Sequence, residues 1–452
     1  MYSALLMGAI GLNATAQQQL PNSGFQEDWV ACNPWIGGSS TNVGTTPTDW
    51  CISNVAGYKF LGSWTGKTEV GKNVTGYEST SAVSLTSQQL TIGIIKKNIP
   101  AYITLGTSWN TANTSGGEAD GGSWGGKAFS DRPTGLQFMY KRSDNGQNTS
   151  SSIVAYLWKG TYVQANVPVS IGSKPTTVNM ENRDRNILEM ETSKGGDITS
   201  KGERIAVINT SISGEATEWT KFSTKFNYES ESTPEMINVI LAAGDYFANA
   251  ADVIPNLNLT IDNVRVFYEY NGYLNISMAP FGALATNKDA TIEIVPTGDN
   301  KCTFTLPNFK LEISGNELNL GNIVVNDVAI SNKNGQYYYE GSVDGLTLPE
   351  GAPAEDAITA NVSLSGTTDN MKIDVDWLQD PTDPTVKVPI EVTFTKEPDP
   401  TTGITDITVD VDNLNAPVEF YNLQGIRVNG DNLTPGIYVR RQGSAVSKIL
   451  VK

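Results

Sequence analysis

The chain has 452 residues, enough for two or three domains, because single hydrophobic cores rarely grow past about 250 residues. With 31 Lys and Arg against 48 Asp and Glu its net charge is −17, which disfavours nucleic acid and anionic membranes as partners. It contains no histidine, which excludes Ser–His–Asp and Cys–His catalysis, imidazole zinc sites and histidine general bases.

Any catalysis would therefore rest on carboxylate, Tyr or Lys groups, and a bound metal would be a hard, oxygen-held ion such as calcium. Abundant Gly, Ser, Thr and Asn suit short strands joined by tight turns.

In chain order, residues 4–12 are apolar and Ala14-Thr15-Ala16 precedes Gln17 as a cleavage site would. Residues 1–16 thus read as a secretory signal peptide, and no cysteine follows it to carry a lipid anchor. Export makes a Cys32–Cys51 disulfide one option, closing a loop that contributes about 3 kcal/mol. Three separate buried thiols, Cys302 included, fit equally well.

Residues 17–270 alternate as strands do. Leu136, Phe138 and Tyr140 oppose Gln137, Met139 and Lys141; Ile153, Ala155 and Leu157 oppose Val154, Tyr156 and Trp158. In "NLNLTIDNVRVFYEY" the apolar phase slips at Asp262-Asn263, which predicts a bulge. Many strands with polar turns and no helical alternation imply a β-sandwich. Residues 271–396 hold about eight short strands, the number of a small antiparallel barrel. A Pro-rich linker follows at 397–406, then a compact β-unit at 407–452. The glycine cluster "GGSWGGK" (121–127) lacks the Lys-Ser/Thr pair and following helix of a phosphate-binding loop, and feeds a strand instead.

Several stretches resemble known families. "GGKAFSDRPTGLQFMYKR" is similar to the G-x-x-F-x-x-R-P-x-x-L-x-x-x-Y-K signature of the carbohydrate-metabolism domain (PCMD) of Bacteroidetes surface proteins. "LPNSGFQEDW" and "LNLTIDNVRVFYEY" resemble its opening and closing strands, in the same order. Residues 271–396 resemble the lipocalin-like, calycin-like barrel found in such proteins. "FYNLQGIRV", "LTPGIYVRR" and "KILVK" resemble the C-terminal sorting domain of type IX secretion. The resemblance implies an all-β protein: a jelly-roll sandwich, a calycin-like barrel and a small C-terminal β-sandwich module. It also implies a secreted or outer-surface protein that meets polysaccharide, with the secretion machinery as partner of its C-terminal domain.

Sugar recognition on such folds uses aromatic faces bordered by amides and carboxylates. With Ile153, Ala155 and Leu157 facing the core, Tyr156 and Trp158 are expected outside as a stacking platform bordered by loop residues Trp109 and Trp124. The bland reading puts this doubly apolar strand under a second layer. A glycoside hydrolase would need two facing carboxylates, one with a raised pKa. Glu118, Asp120, Asp131, Glu181, Asp184, Glu189, Glu191 and Asp245 are candidates, and their spacing singles out no pair. Gln26, Glu27 and Asp262, on the opening and closing strands, form an expected structural calcium site. The reading is noncatalytic glycan binding, with a hydrolase or a structural or adhesive surface protein as alternatives.

Overall fold

Alternating apolar residues, punctuated by Asn and Gly, give a chain built almost wholly of antiparallel strands. The structure, a computed structural model, describes residues 17–451 except 37–38, 41, 61–62, 93–94, 111–120, 172–173, 191–195, 250, 299, 314–315, 334, 354–356, 401–416, 423–425 and 443–444. The expected signal peptide, Glu118, Asp120, Glu191 and most of the expected linker lie outside the described residues.

The strands that matter below are β1 (Ala82–Thr86), β2 (Tyr102–Thr104), β3 (Gly121–Trp124), β4 (Gly135–Ser143), β5 (Ser150–Lys159), β6 (Glu203–Ser213), β7 (Ala216–Lys225), β8 (Met236–Ala242) and β9 (Asn258–Met278). One sheet runs β6-β5-β8-β2, extended at its ends by Asn227–Tyr228 and Cys51–Ile52. The other places β4 between β7 and β9, with β1 beside the first residues of β9. Their facing apolar residues form one core: Leu136 and Phe138 from β4, Ile153, Ala155 and Leu157 from β5, Val264 and Val266 from β9.

The bulge expected at Asp262-Asn263 is present. The pairing of β4 with β9 steps from Gln137–Arg265 to Met139–Asp262, and Asn263 absorbs the extra residue at φ 52°. This keeps Leu259, Ile261, Val264 and Val266 all in the core despite the change of phase.

The second unit begins within β9, whose 21 residues run across the expected 270/271 boundary. It continues through β10 (Gly282–Gly298), β11 (Lys301–Ile313), β12 (Asn316–Lys333), β13 (Gln336–Leu348), β14 (Ile358–Thr367), β15 (Asn370–Leu378) and β16 (Lys387–Thr395). Each strand pairs with the next, and β16 returns to β9 from Tyr273–Thr395 to Met278–Ile390, closing an eight-stranded meander. Phe304, Tyr339, Met371, Ile373 and Phe394 sit in its core, fully buried.

The first described residues strap the two units together. The Gln17 side chain donates to the Tyr270 hydroxyl and accepts from that of Tyr339, 2.9 Å away. Gln19 bonds Val266 through both N–H and C=O, and also the Pro296 carbonyl at 2.8 Å. Beyond the barrel, β17 (Val418–Tyr421), β18 (Arg427–Val428), β19 (Gly436–Gln442) and β20 (Ala445–Val451) form one sheet in the order β18-β17-β19-β20.

All three cysteines are reduced. Cys32 and Cys51 lie side by side, both thiols directed at the Ile52 carbonyl at 3.4 and 3.8 Å. Cys302 is buried in the barrel core, where burial pushes its thiol up to about 12.

Candidate functional site

The strand β5 does alternate as its sequence predicts, with Val154, Tyr156 and Trp158 on the face away from the main core. The expectation that this face meets solvent is overturned: Tyr156 and Trp158 are both 0% exposed. A second apolar layer covers them, in which Tyr162, Ile187, Leu188 and Tyr246 pack on the outer face of the sheet. The glycine segment lies on top. A Cβ on Gly126 would stand 2.8 Å from the Trp158 ring, so only glycine lets the backbone approach so closely. Trp109 is likewise 0% exposed, with the buried Arg183 guanidinium 4.9 Å above its ring. These three aromatics are structural ballast beneath a surface rather than a platform on it.

Trp124 differs. It is half-buried, packing against Trp109, Val167 and Met180 while lining a cleft of about 700 Å³. Asn179, Glu181 and Asn182, at the end of the later hairpin formed by Val163–Ile171 and Lys174–Glu181, and the Asp49–Lys127 ion pair (2.7 Å), border the same cleft. Its floor is fixed by buried polar groups. Asn238 donates to Ser123 Oγ (3.0 Å) and the Tyr156 hydroxyl (2.8 Å), and accepts from Thr104 Oγ1 and the Gly106 N–H. Thr104 and Ser123 share a further bond of 2.7 Å. A network with every member paired holds β3 in one position.

Gly122 completes that fixing. Its φ of 151° lies where a side chain is disfavoured, and a Cβ there would stand 3.0 Å from the Asp184 carboxylate. Asp184 is itself wholly buried and accepts from the Tyr246 hydroxyl at 2.6 Å. Burial, and then the nearby Asp184 charge, hold the Tyr156 and Tyr246 hydroxyls well above the ordinary tyrosine range, so both serve as neutral hydrogen-bonding groups.

The other candidate carboxylates are scattered. Asp131 accepts the Gln18 N–H at 2.7 Å, Glu189 pairs with Lys201, and Asp245 caps its own turn through the Phe247 N–H at 2.9 Å. Among the described residues, Glu181 alone of the set lines the Trp124 cleft.

The expected calcium site is partly assembled but has the wrong donors. Gln26 and Asp262 do meet the same turn, Gln26 through Ser81 O (2.9 Å) and Thr80 Oγ1 (2.9 Å). Asp262 accepts from Ser79 Oγ at 2.6 Å, Tyr77 N–H at 2.8 Å and Asn263 N–H at 2.6 Å. A carboxylate surrounded by N–H and O–H donors is built for hydrogen bonds, and the Gln26 amide points its N–H, not its oxygen, at Ser81. Glu27 contributes an exposed side chain and a backbone bond to Asn22. The residues present do not fit a calcium ion, and no group of three or more acids or cysteines suited to a metal occurs among the described residues.

Two features escaped the sequence reading. Tyr77 and Trp219, both half-buried, meet edge to face at 6.2 Å, with Lys141 5.4 Å above the Trp219 ring. Glu269 and Glu293 stand directly opposite each other on β9 and β10, their Cβ atoms about 5 Å apart. Desolvation, then Glu269, raises the Glu293 carboxyl, while Glu269 pairs with Lys225. Only knowledge of the β9–β10 register, which alternation does not supply, could have joined that pair.

Residues 266–397 match the calycin-like β-barrel domain family, in agreement with the barrel described above. None of the curated proteins matches the chain. Among solved structures, a putative glycoside hydrolase from Bacteroides thetaiotaomicron is 13% identical at a TM-score of 0.29, over 54% of this chain and 70% of that one. A putative glycoside hydrolase from Bacteroides vulgatus is 14% identical at 0.30, over 56% and 98%. A putative outer membrane protein from Bacteroides fragilis is 16% identical at 0.21, over 59% and 97%. The protein is thus an almost entirely β chain whose second unit is a calycin-like barrel.

Proposed function

We propose that the protein is an exported glycan-binding protein of the cell surface, which captures polysaccharide without cleaving it. The observation that carries this reading is the Trp124 cleft. A tryptophan whose back is packed and whose floor is hydrogen-bonded presents an aromatic at low entropic cost, beside the amides and charges that sugar hydroxyls pair with. The PCMD-like sandwich would do the binding, and the C-terminal sheet would address the chain to its secretion machinery. Binding of the chain to an array of neutral glycans, lost in Trp124→Ala and retained in Trp219→Ala, tests the reading.

A second reading, hydrolysis, is favoured by one observation: the opposed Glu269 and Glu293, one carboxyl raised and the other ion-paired. That is the division of labour between acid and nucleophile in a glycosidase. Release of reducing ends from a polysaccharide, abolished by Glu293→Gln, would establish it; unchanged release in that variant would remove it.

A further inference from the structure

One face of the sheet shared by sandwich and barrel is polar and carries charge of the opposite sign to the molecule. Six strands, β7-β4-β9-β10-β11-β12, lie side by side across it, five steps of about 4.8 Å or roughly 24 Å in all. Cross-strand register stacks their outward residues into rows: Ser223–Gln137–Arg265 in one, Glu269–Glu293–Thr305 in another, and Asn271–Thr291 in a third. These rows floor a groove of about 560 Å³, and a second of about 540 Å³ adjoins it, sharing Asn271, Thr291, Pro307 and Asn308.

Lys221, Lys225, Arg265, Lys288, Lys310 and Lys396 line the two grooves, against the acids Glu269, Glu293 and Asp289. Lys310 pairs outside this lining with Glu317 at 2.8 Å and Lys396 with Asp369 at 3.8 Å, so a surplus of one cation remains, on a chain whose net charge is −17. Lys221 and Lys288 form no ion pair among the described residues, and both are exposed. Gln137 Oε1 and Arg265 Nε, on paired residues of the groove floor, are buried without a hydrogen-bond partner among the described residues. Buried polar atoms left unpaired are costly, so a shift of either side chain toward a bound sugar would gain a hydrogen bond.

We propose that this double groove binds an anionic oligosaccharide, one bearing carboxylate or sulfate groups. The cations supply the charge complement. Neutral amides and hydroxyls between them, from Asn271, Thr291, Thr305 and Asn308, match sugar hydroxyls better than a continuously charged peptide. The period of two along β7 also puts Trp219 on the face that holds Lys221 and Lys225, which adds an aromatic surface at the sandwich end. The site is separate from the Trp124 cleft and stands whether or not Glu269 and Glu293 hydrolyse anything.

The test is calorimetric titration of the full chain with an oligogalacturonate hexamer, its fully methyl-esterified form, a sulfated hexasaccharide and a poly-glutamate peptide. The proposal expects an acidic sugar to bind, at least tenfold more weakly when its charges are esterified, and more weakly as salt rises. Lys221→Ala/Lys288→Ala, at exposed positions that leave the fold intact, should weaken it at least tenfold, and Trp124→Ala should not change it. Binding to neither acidic sugar, equal binding of the esterified form, or an unaffected double variant would overturn it. Poly-glutamate bound as tightly as the sugars would reassign the surface to an acidic protein partner.

Discussion

The central strand of the sandwich and the strands of the barrel obey the same alternation, yet end in different surroundings. In the barrel, residues pointing away from the core meet solvent: β16 reads exposed Lys387, Pro389 and Glu391 between buried Ile390, Val392 and Phe394. In β5 both sets are buried, because residues 121–128, the short helix α1 (Asp184–Ile187) and the Tyr246 loop close over the outer face. Alternation fixes the direction of a side chain. What lies in that direction is decided by segments tens of residues away.

Truncation should expose that difference most strongly. Trp158→Ala removes a ring held between sheet and glycine segment and is expected to lower stability by about 3–5 kcal/mol. Val386, 47% exposed in the turn that enters β16, should tolerate alanine within about 0.5 kcal/mol. Urea denaturation of both variants checks the contrast, and equal losses would mean that the layer over β5 is loose.

Where the two units meet, the glutamine strap should matter next. Gln19→Ala leaves the Val266 and Pro296 backbone groups without their partner, and a loss of about 1–3 kcal/mol is expected in the same assay. A result within error of the parent would make the strap incidental to the junction.

The smallest effect is a pH dependence at the shared sheet. Desolvation and the Glu269 charge raise the Glu293 carboxyl, against the opposing influence of Lys221 and Lys225. The folded chain therefore holds this proton more tightly than the unfolded chain. Its stability falls as pH rises from the ordinary glutamate range through the raised value. Glu293→Gln removes that fall, so its melting temperature should exceed the parent's at pH 7 by more than it does near pH 3.5. A difference that does not change with pH would contradict the assignment.

Much of this architecture is legible in the residues. The barrel follows from regular alternation and turn residues, and the bulge at Asn263 from a phase slip within one segment, since both are local signals. Tyr156 and Trp158 are buried where an outward position is expected, because their cover comes from Gly126 and Tyr246, distant in sequence. The Glu269–Glu293 pair and the Arg265–Gln137 row depend on strand register. The expected unit boundary could not reveal that β9 belongs to both units, because a strand that changes partners midway keeps one continuous pattern. Of the four aromatics expected to meet sugar, Trp124 alone lines a cleft.

The central claim is tested most directly by applying the full chain and Trp124→Ala to an array of neutral plant and host polysaccharides, with the folded state of the variant checked by its melting temperature. The account predicts retention of at least one glycan by the parent and at least tenfold weaker retention by the equally folded variant. No retention by the parent, or the same retention by both, would contradict it.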